Sequence, residues 1–440
     1  MRTALLTVNV YDNYGNMLQK YALYRTLEKL AGFSEVLWHH STKPFTPYDL
    51  EINRQLTGTV RLSAFRCVRE NKFKEFEDTY VRTRFDLPYL EDVADDYDYF
   101  VVGSDQVWNP DLCVPGNFCE FAPPEKRIAY AASIAVPEIP PHLAGYFREK
   151  ILEMPHVSIR EREGVELVEK LTGRKVPQVV DPVFLLEADE WRKIAKPPTW
   201  FSKKNYERGY VLTYFFTGKP PEQVVDLAAK LGLPLINLLD WDNFHHYVTG
   251  IEEFLYLVDH ATLFCTQSFH GTSFALILKR PFIVYKLQLG RMVQRFSRFE
   301  SLLELFGLSE RATDVDLEIK MEDPLQIDFS RRDEVLPVER ERSLDFLKVA
   351  LGLKQPEQAE PPISEPPVQV ELDVDLDDEE EPFIIEASEQ DKPLIDETPV
   401  KVETPDKVET PAEVEAPAQI KQPDDEPSKG KSRKKRKRKK

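Results

Sequence analysis

GYVLTYFFTGKPPEQVVDLAAKLGLPLINLLD, residues 209–240, reads as strand, helix, strand. YVLTYFFT is a short run of aromatic and aliphatic residues ended by Gly218, the pattern of a strand buried on both faces. PPEQVVDLAAKLG repeats its apolar residues at helical spacing, opens on prolines and stops at Gly232. LPLINLL is apolar again. Strands of this kind alternating with helices predict a mainly parallel sheet covered on both sides.

The alternation continues toward the C-terminus. IEEFLYLVD reads as a helix, ATLFCT as a strand, GTSFALILK as a helix and PFIVYK as a strand, and a last helix, RFSRFESLLELFG, closes the folded part. Residues 187–208 are irregular and rich in Trp, Lys and Pro, as suits a connection between domains. A first alternating set precedes them. TALLTVNV is a strand, YDNYGN a turn, NMLQKYALYRTLEKLAG a helix stopping at Gly32, and FSEVLW a second strand. Residues 40–90 read as loop plus the helix SAFRCVRENKFKEFEDTYV. YDYFVVGS, RIAYAAS, HVSIR and VPQVVDPV read as further strands, with helices near 141–153 and 161–172. The expected fold class is α/β, with two Rossmann-like domains (1–186 and 209–335) facing a cleft where ligands bind beyond the strand ends.

From residue 355 the composition changes. Phe383 is the one aromatic residue after it, and residues 355–426 carry 24 acidic and 4 basic side chains. TPVKVE, TPDKVE, TPAEVE and APAQIK repeat a six-residue unit over 398–421. So little apolar surface cannot offset chain entropy, so residues 355–440 are expected to be a disordered, acidic, proline-rich tail. It ends in KGKSRKKRKRKK, with ten basic side chains. That end would draw the chain to an anionic membrane surface, fold back onto ELDVDLDDEEE, bind RNA non-specifically or dock a partner protein.

The body ahead of the tail is mildly acidic, which gives no electrostatic reason to expect a nucleic-acid partner. No stretch approaches about 18 consecutive apolar residues, and MRTALLTVNVYDN turns polar too early for a signal peptide. Cys67, Cys113, Cys119 and Cys265 form no CxxC pair. A cytoplasmic location is therefore expected. His39–His40 and His245–His246 have no carboxylate or cysteine at ligand spacing, so no metal site is expected.

Four motifs carry the chemistry. In NYGNMLQ, Asn13 and Gln19 flank a turn where Gly15 lets a ligand approach a helix N-terminus, or where Asn13 simply caps it. In GSDQVWNP, Asp105 and Gln106 could hold vicinal hydroxyls and Trp108 could stack on a sugar, or Asp105 caps a turn and Trp108 belongs to the core. In SIREREG, Arg160 could clamp a carboxylate or phosphate with paired donors, while Arg162 suits a surface pair. In TQSFHGTSFALILKRPF, the hydroxyls of Ser268, Thr272 and Ser273 gather where a strand gives way to a helix and suggest an anion cradle. His270 beside them is either a proton carrier or a structural histidine.

Taken in order, NYGNMLQKYAL, YDYFVVGSDQVWNP, YAASI, SIREREG, VVDPVFLL and SFHGTSFALILKRPF resemble the polysaccharide pyruvyl transferase family over roughly residues 3–311. The resemblance implies a GT-B-like pair of domains. It also implies transfer of the enolpyruvyl unit of phosphoenolpyruvate to two sugar hydroxyls, giving a ketal and phosphate without a cofactor. By position, it puts His270, the candidate acid/base, at the family's C-terminal-domain histidine and Arg160, the candidate anion clamp, at the arginine of its strand-to-helix turn, while Asn13, Gln19, Asp105 and Gln106 fall on the cleft face of the N-terminal domain. Ser268, Thr272 and Ser273 as donor-side residues and Trp108 as an acceptor-side residue rest on the motif readings above. Several family members carry an arginine where Ser268 stands, so Arg298 or Arg160 must supply that charge here. The acceptor would be a sugar or lipid-linked glycan of exopolysaccharide or cell-envelope assembly. Two other readings remain: a nucleotide-sugar glycosyltransferase of the same fold, and a non-catalytic assembly protein.

Overall fold

The structure is a computed structural model that describes residues 1–39, 60–87, 89–112, 116–286, 297–314 and 323–355. The acidic tail, its repeats and its basic end, read above as disordered and as a membrane or partner contact, lie outside the described residues.

The first half builds a parallel sheet from β1 (Arg2–Leu6), β2 (Phe33–His39), β3 (Thr83–Leu87), β4 (Tyr99–Val102), β5 (Arg127–Ala132) and β6 (His156–Ile159). Its order is β3-β2-β1-β4-β5-β6, the Rossmann order, which reverses between β1 and β4. Helices α1 (Tyr14–Ala31), α2 (Val60–Tyr80), α3 (Pro141–Glu153) and α4 (Arg162–Thr172) connect the strands. α1 starts on Asn13, whose side chain accepts the Asn16 amide, and stops at Gly32 in the left-handed conformation (φ 86°). Most of its residues are buried because it lies between this sheet and the second half.

The second half follows α5 (Ala188–Ile194). It stacks β7 (Val211–Tyr214), β8 (Leu235–Leu238), β9 (Leu263–Thr266), β10 (Phe282–Lys286) and β11 (Ala312–Asp314) in the parallel order β11-β10-β9-β7-β8. The order reverses between β7 and β9. Helices α6 (Glu222–Leu231), the single-turn α7 (Phe244–Tyr247), α8 (Ile251–His260), α9 (Phe269–Leu278) and α10 (Ser297–Phe306) complete it. The expected pair of α/β halves is present.

Four expectations fail locally. VPQVVDPV is not a strand; it makes one bridge, Gln178 to Ile159, and then a 3-10 turn over Pro182–Leu185. Residues 187–208 are not wholly irregular, because α5 inserts Trp191 into the core. There the Trp191 indole donates to the Val183 carbonyl (3.2 Å) and packs edge-on against Phe274. Each sheet also carries an edge strand that the sequence pattern does not announce, β3 in the first and β11 in the second. The chain also continues past α10 into α11 (Ser330–Ala350), which starts on the second half and ends on the first. Arg332 donates to the Leu276 and Ile277 carbonyls, while Ser343 Oγ accepts the Val180 amide at 3.1 Å.

One core therefore runs through both halves. Tyr14 of α1 stacks on Phe254 of α8 with centroids 4.3 Å apart, and its hydroxyl donates to the Thr249 carbonyl at 2.7 Å. The buried Arg69 guanidinium lies 4.4 Å over the Tyr14 ring and donates to the carbonyls of Tyr247 and Asp12. No described helix is long and apolar enough to cross a membrane.

Candidate active site

Both strand-order reversals feed the same place. At the first, Gln19 of α1 ties β1 to β4. Its amide donates to Thr7 Oγ1 (2.8 Å) and the Asn16 carbonyl (3.1 Å), and its carbonyl accepts the Ser104 amide (3.1 Å). Asn16 accepts the Val10 amide and donates to Asp105 Oδ2 at 3.2 Å. Asp105 itself stands just past β4 in the left-handed conformation (φ 61°).

At the second reversal, β9 runs into α9. Ser268 caps α9 by accepting the Gly271 amide on Oγ (3.1 Å). Thr272 and Ser273 donate their hydroxyls to carbonyls one turn back, those of Ser268 and Phe269. The hydroxyl protons of Thr272 and Ser273 are thus directed to helix carbonyls, while Ser268 Oγ serves the helix as an acceptor. His270, in the first turn of α9, crosses to the other half. Its ring lies so close to Gly15 that a Cβ there would fall 2.0 Å from Nδ1. The body that Gly15 admits is a histidine of the second half.

Asp181 receives His270 from the far side, with Oδ2 3.4 Å from Nε2. The same oxygen accepts from Arg160 Nη1 at 2.8 Å, and Oδ1 accepts the Val183 amide at 3.1 Å. Burial alone would push the Asp181 carboxyl up; His270, Arg160 and the Val183 amide outweigh it and hold it well below the usual carboxylate range. Asp105 is ruled by the same balance: burial pulls upward, while His270, Arg160, Arg298 and Asn16 keep it below its ordinary value. Arg160 is raised although burial opposes its charge, because Asp181, Glu161 and Asp105 surround it. Glu161 Oε2 lies 3.6 Å from Arg160 Nε, and Oε1 accepts the Ile134 and Ala135 amides.

Arg160 is 5% exposed, and among the described residues neither its Nε nor its Nη2 has a hydrogen-bond partner. It opens onto a cavity of about 380 Å³ walled also by Glu161, Asp181, Phe269, Arg298 and Ser301. The guanidiniums of Arg160 and Arg298 lie 4.6 and 5.5 Å from the centroid of the same ring, Phe269. Arg162 points outward to Glu304.

The structure brings His270, Arg160, Arg298 and Asp105 into one neighbourhood and leaves other candidates aside. Asn13 is a helix cap and Gln19 is fully engaged between strands. Gln106 accepts from Asn109. Trp108 is buried and stacked on Phe118 at 5.1 Å, so it cannot carry a sugar. Asp181 and Asn16 join that neighbourhood, although the motif readings mark neither as a site residue. A carboxylate inside the apolar run VVDPVFLL was the available signal for Asp181.

Asp181→Ala is expected to cost about 3–5 kcal/mol, since it strands Arg160 in the interior. Its carboxyl is lowered in the folded state, so its contribution is complete above the ordinary carboxylate pKa and is lost as pH falls through the lower folded value. Urea unfolding of wild type and variant at neutral and acid pH should show the difference between them shrinking in acid. A constant difference would assign the loss to packing.

The fold has distant counterparts among solved structures. The UDP-GlcNAc 2-epimerase of Neisseria meningitidis is 11% identical over 79% of this chain and 99% of its own, with a TM-score of 0.36. The glycosyltransferase SnogD of Streptomyces nogalater is 10% identical over 80% and 95%, with a TM-score of 0.34. MurG of Acinetobacter baumannii is 9% identical over 81% and 96%, with a TM-score of 0.32. No curated protein matches the chain. The family model for polysaccharide pyruvyl transferase matches residues 13–287, from the cap of α1 to the end of β10. That span holds Gly15, Asp105, Arg160, Asp181 and His270, and the chain belongs to the polysaccharide pyruvyl transferase family.

Proposed function

We propose that the protein moves the pyruvyl unit of phosphoenolpyruvate onto two hydroxyls of a sugar, forming a cyclic ketal and releasing phosphate, in the assembly of an exopolysaccharide or cell-envelope glycan. The observation that carries this reading is Arg160. A buried donor without a partner costs about 1–3 kcal/mol, and more when charged. Arg160 keeps two nitrogens in that state at the wall of a cavity. A group with paired anionic oxygens would satisfy both, and phosphoenolpyruvate has two such groups, its carboxylate and its phosphate. Arg298, across the Phe269 ring, adds the second cation that a leaving phosphate calls for.

His270 then protonates the methylene carbon of the donor, and Asp181 keeps the imidazole oriented. The resulting oxocarbenium-like centre takes the first hydroxyl, and the second hydroxyl replaces phosphate. Arg160→Lys keeps the charge and loses the fork. It should raise KM for phosphoenolpyruvate about tenfold to a hundredfold, the equivalent of about 1.5–3 kcal/mol, with little change in KM for the sugar. The assay is phosphate release from phosphoenolpyruvate with a panel of nitrophenyl and lipid-linked glycosides. Turnover of nucleotide sugars without any use of phosphoenolpyruvate would replace this reading with a glycosyltransferase.

A further inference from the structure

We propose that Asp105 is the general base that removes the proton from the attacking sugar hydroxyl, an assignment that rests on the pyruvyl-transfer reading of the site. Three carboxylates surround His270 and Arg160, and they differ in what they have left to offer. Asp181 has both oxygens engaged, by Arg160, His270 and the Val183 amide. Glu161 gives Oε1 to two backbone amides, and its Oε2 is buried beside Arg160. Asp105 accepts one bond, from Asn16, on Oδ2. Its Oδ1 accepts none among the described residues, the side chain makes no ion pair there, and the residue is only partly buried.

The backbone at Asp105 points the same way. A non-glycine residue in the left-handed region costs of order 1 kcal/mol and persists where the surroundings enforce it. Here they do, because the Asp105 carbonyl accepts the amides of Val107 (2.8 Å) and Ser133 (3.1 Å). The conformation aims the side chain off the end of β4, where the strand order reverses and ligands gather in such sheets. A chain of contacts runs from Asp105 through Asn16 and its neighbour Gly15 to His270, and on to Asp181 and Arg160. His270 thus stands between Asp181, which walls the arginine-bearing cavity, and the Gly15–Asn16 link to Asp105.

The proton count requires such a group. His270 gives one proton to the methylene carbon, whose double-bond pair becomes the new C–H bond. As the first hydroxyl oxygen bonds to the central carbon, its O–H bond breaks and the proton passes to Asp105 Oδ1. The carbon–oxygen bond to phosphate breaks next, and that proton leaves with the phosphate. The second hydroxyl closes the ketal, and its proton, taken by the same carboxylate, returns to His270. A carboxylate kept ionised by His270, Arg160 and Arg298 is a weak base. It suffices against an oxocarbenium-like carbon, as in inverting glycosidases, where a carboxylate activates water for the same kind of centre.

Asp105→Gly suits the left-handed backbone and removes the base. The expected result is a fall of about a hundredfold in kcat, with phosphoenolpyruvate binding by calorimetry and the thermal midpoint unchanged. Added formate should restore part of the turnover by occupying the vacated place. Asp105→Glu, which keeps the carboxylate, should retain more activity than Asp105→Gly. Unchanged kcat in the glycine variant, or a loss that appears as a raised sugar KM with no response to formate, would overturn the assignment. If the wild-type protein releases no phosphate from phosphoenolpyruvate with any glycoside, the underlying reading fails and this one with it.

Discussion

Replacing His270 by alanine should lower kcat by about 10²–10⁴ while the protein stays folded. The geometry separates the two effects. His270 is buried, but it anchors nothing alone: Asp181 keeps Arg160 at 2.8 Å and the Val183 amide at 3.1 Å when the imidazole is gone. α9 keeps its cap, because Ser268 accepts the Gly271 amide whatever stands at position 270. The stability loss should therefore stay within the usual range for one substitution, about 0.5–3 kcal/mol. A structural histidine would behave in the opposite way, with a large drop in thermal midpoint and near-normal turnover per folded molecule. His270→Gln, similar in size and able to hydrogen-bond but not to carry a proton at neutral pH, should match the alanine variant in rate.

The sequence reveals His270 but not what faces it, and the difference is one of range. Strands and helices declare themselves through neighbours in the chain. The runs YFVV, VLTY and LFCT and the stop at Gly32 all lie where their local pattern puts them. Asp181 becomes a site residue only through Arg160, 21 positions away, and His270, 89 positions away. Its own surroundings, the valines of VPQVVDPV, suggest a strand. Trp108 is the reverse case. An indole after a strand end looks the same in sequence whether it faces a sugar or Phe118, and only the stack at 5.1 Å decides.

The hydroxyls of Ser268, Thr272 and Ser273 belong to a third kind. Their clustering is visible, but short hydroxyl side chains compete for nearby backbone groups, and here the helix takes all three. α11 escaped notice because only Leu336, Ser343, Leu347 and Ala350 are buried along its 21 residues, with Pro337 among them. So sparse a stripe in so charged a segment carries little periodic signal.

Gly15→Ala is expected to be more damaging than its chemistry suggests, lowering kcat at least about a hundredfold, since a shift of about 1 Å in a reacting group can cost that much. Gly15 is the second residue of α1, so alanine fits its backbone and, by helix propensity alone, would stabilise the helix by less than the about 0.8–1.0 kcal/mol of an interior position. The obstacle is what the new carbon meets: Nδ1 of His270 at 2.0 Å, Cγ at 2.3 Å and Cβ at 2.7 Å. All three atoms belong to one residue, and Asp181 at 3.4 Å from Nε2, together with the edge-on Phe269 ring, leaves that residue little room to retreat. Either the imidazole turns away from Asp181, or α1 and α9 move apart at the core they share. Overpacking of this kind costs about 1–3 kcal/mol, so the net change in stability should be a loss smaller than that. Gly145 in α3 is the matched control: it too is helical, but a Cβ there meets nothing within 4 Å among the described residues. Gly145→Ala should leave kcat unchanged and raise the thermal midpoint slightly. If Gly15→Ala turns over like the wild type, the imidazole is not confined between Gly15 and Asp181, and the close approach of the two halves has no part in positioning it.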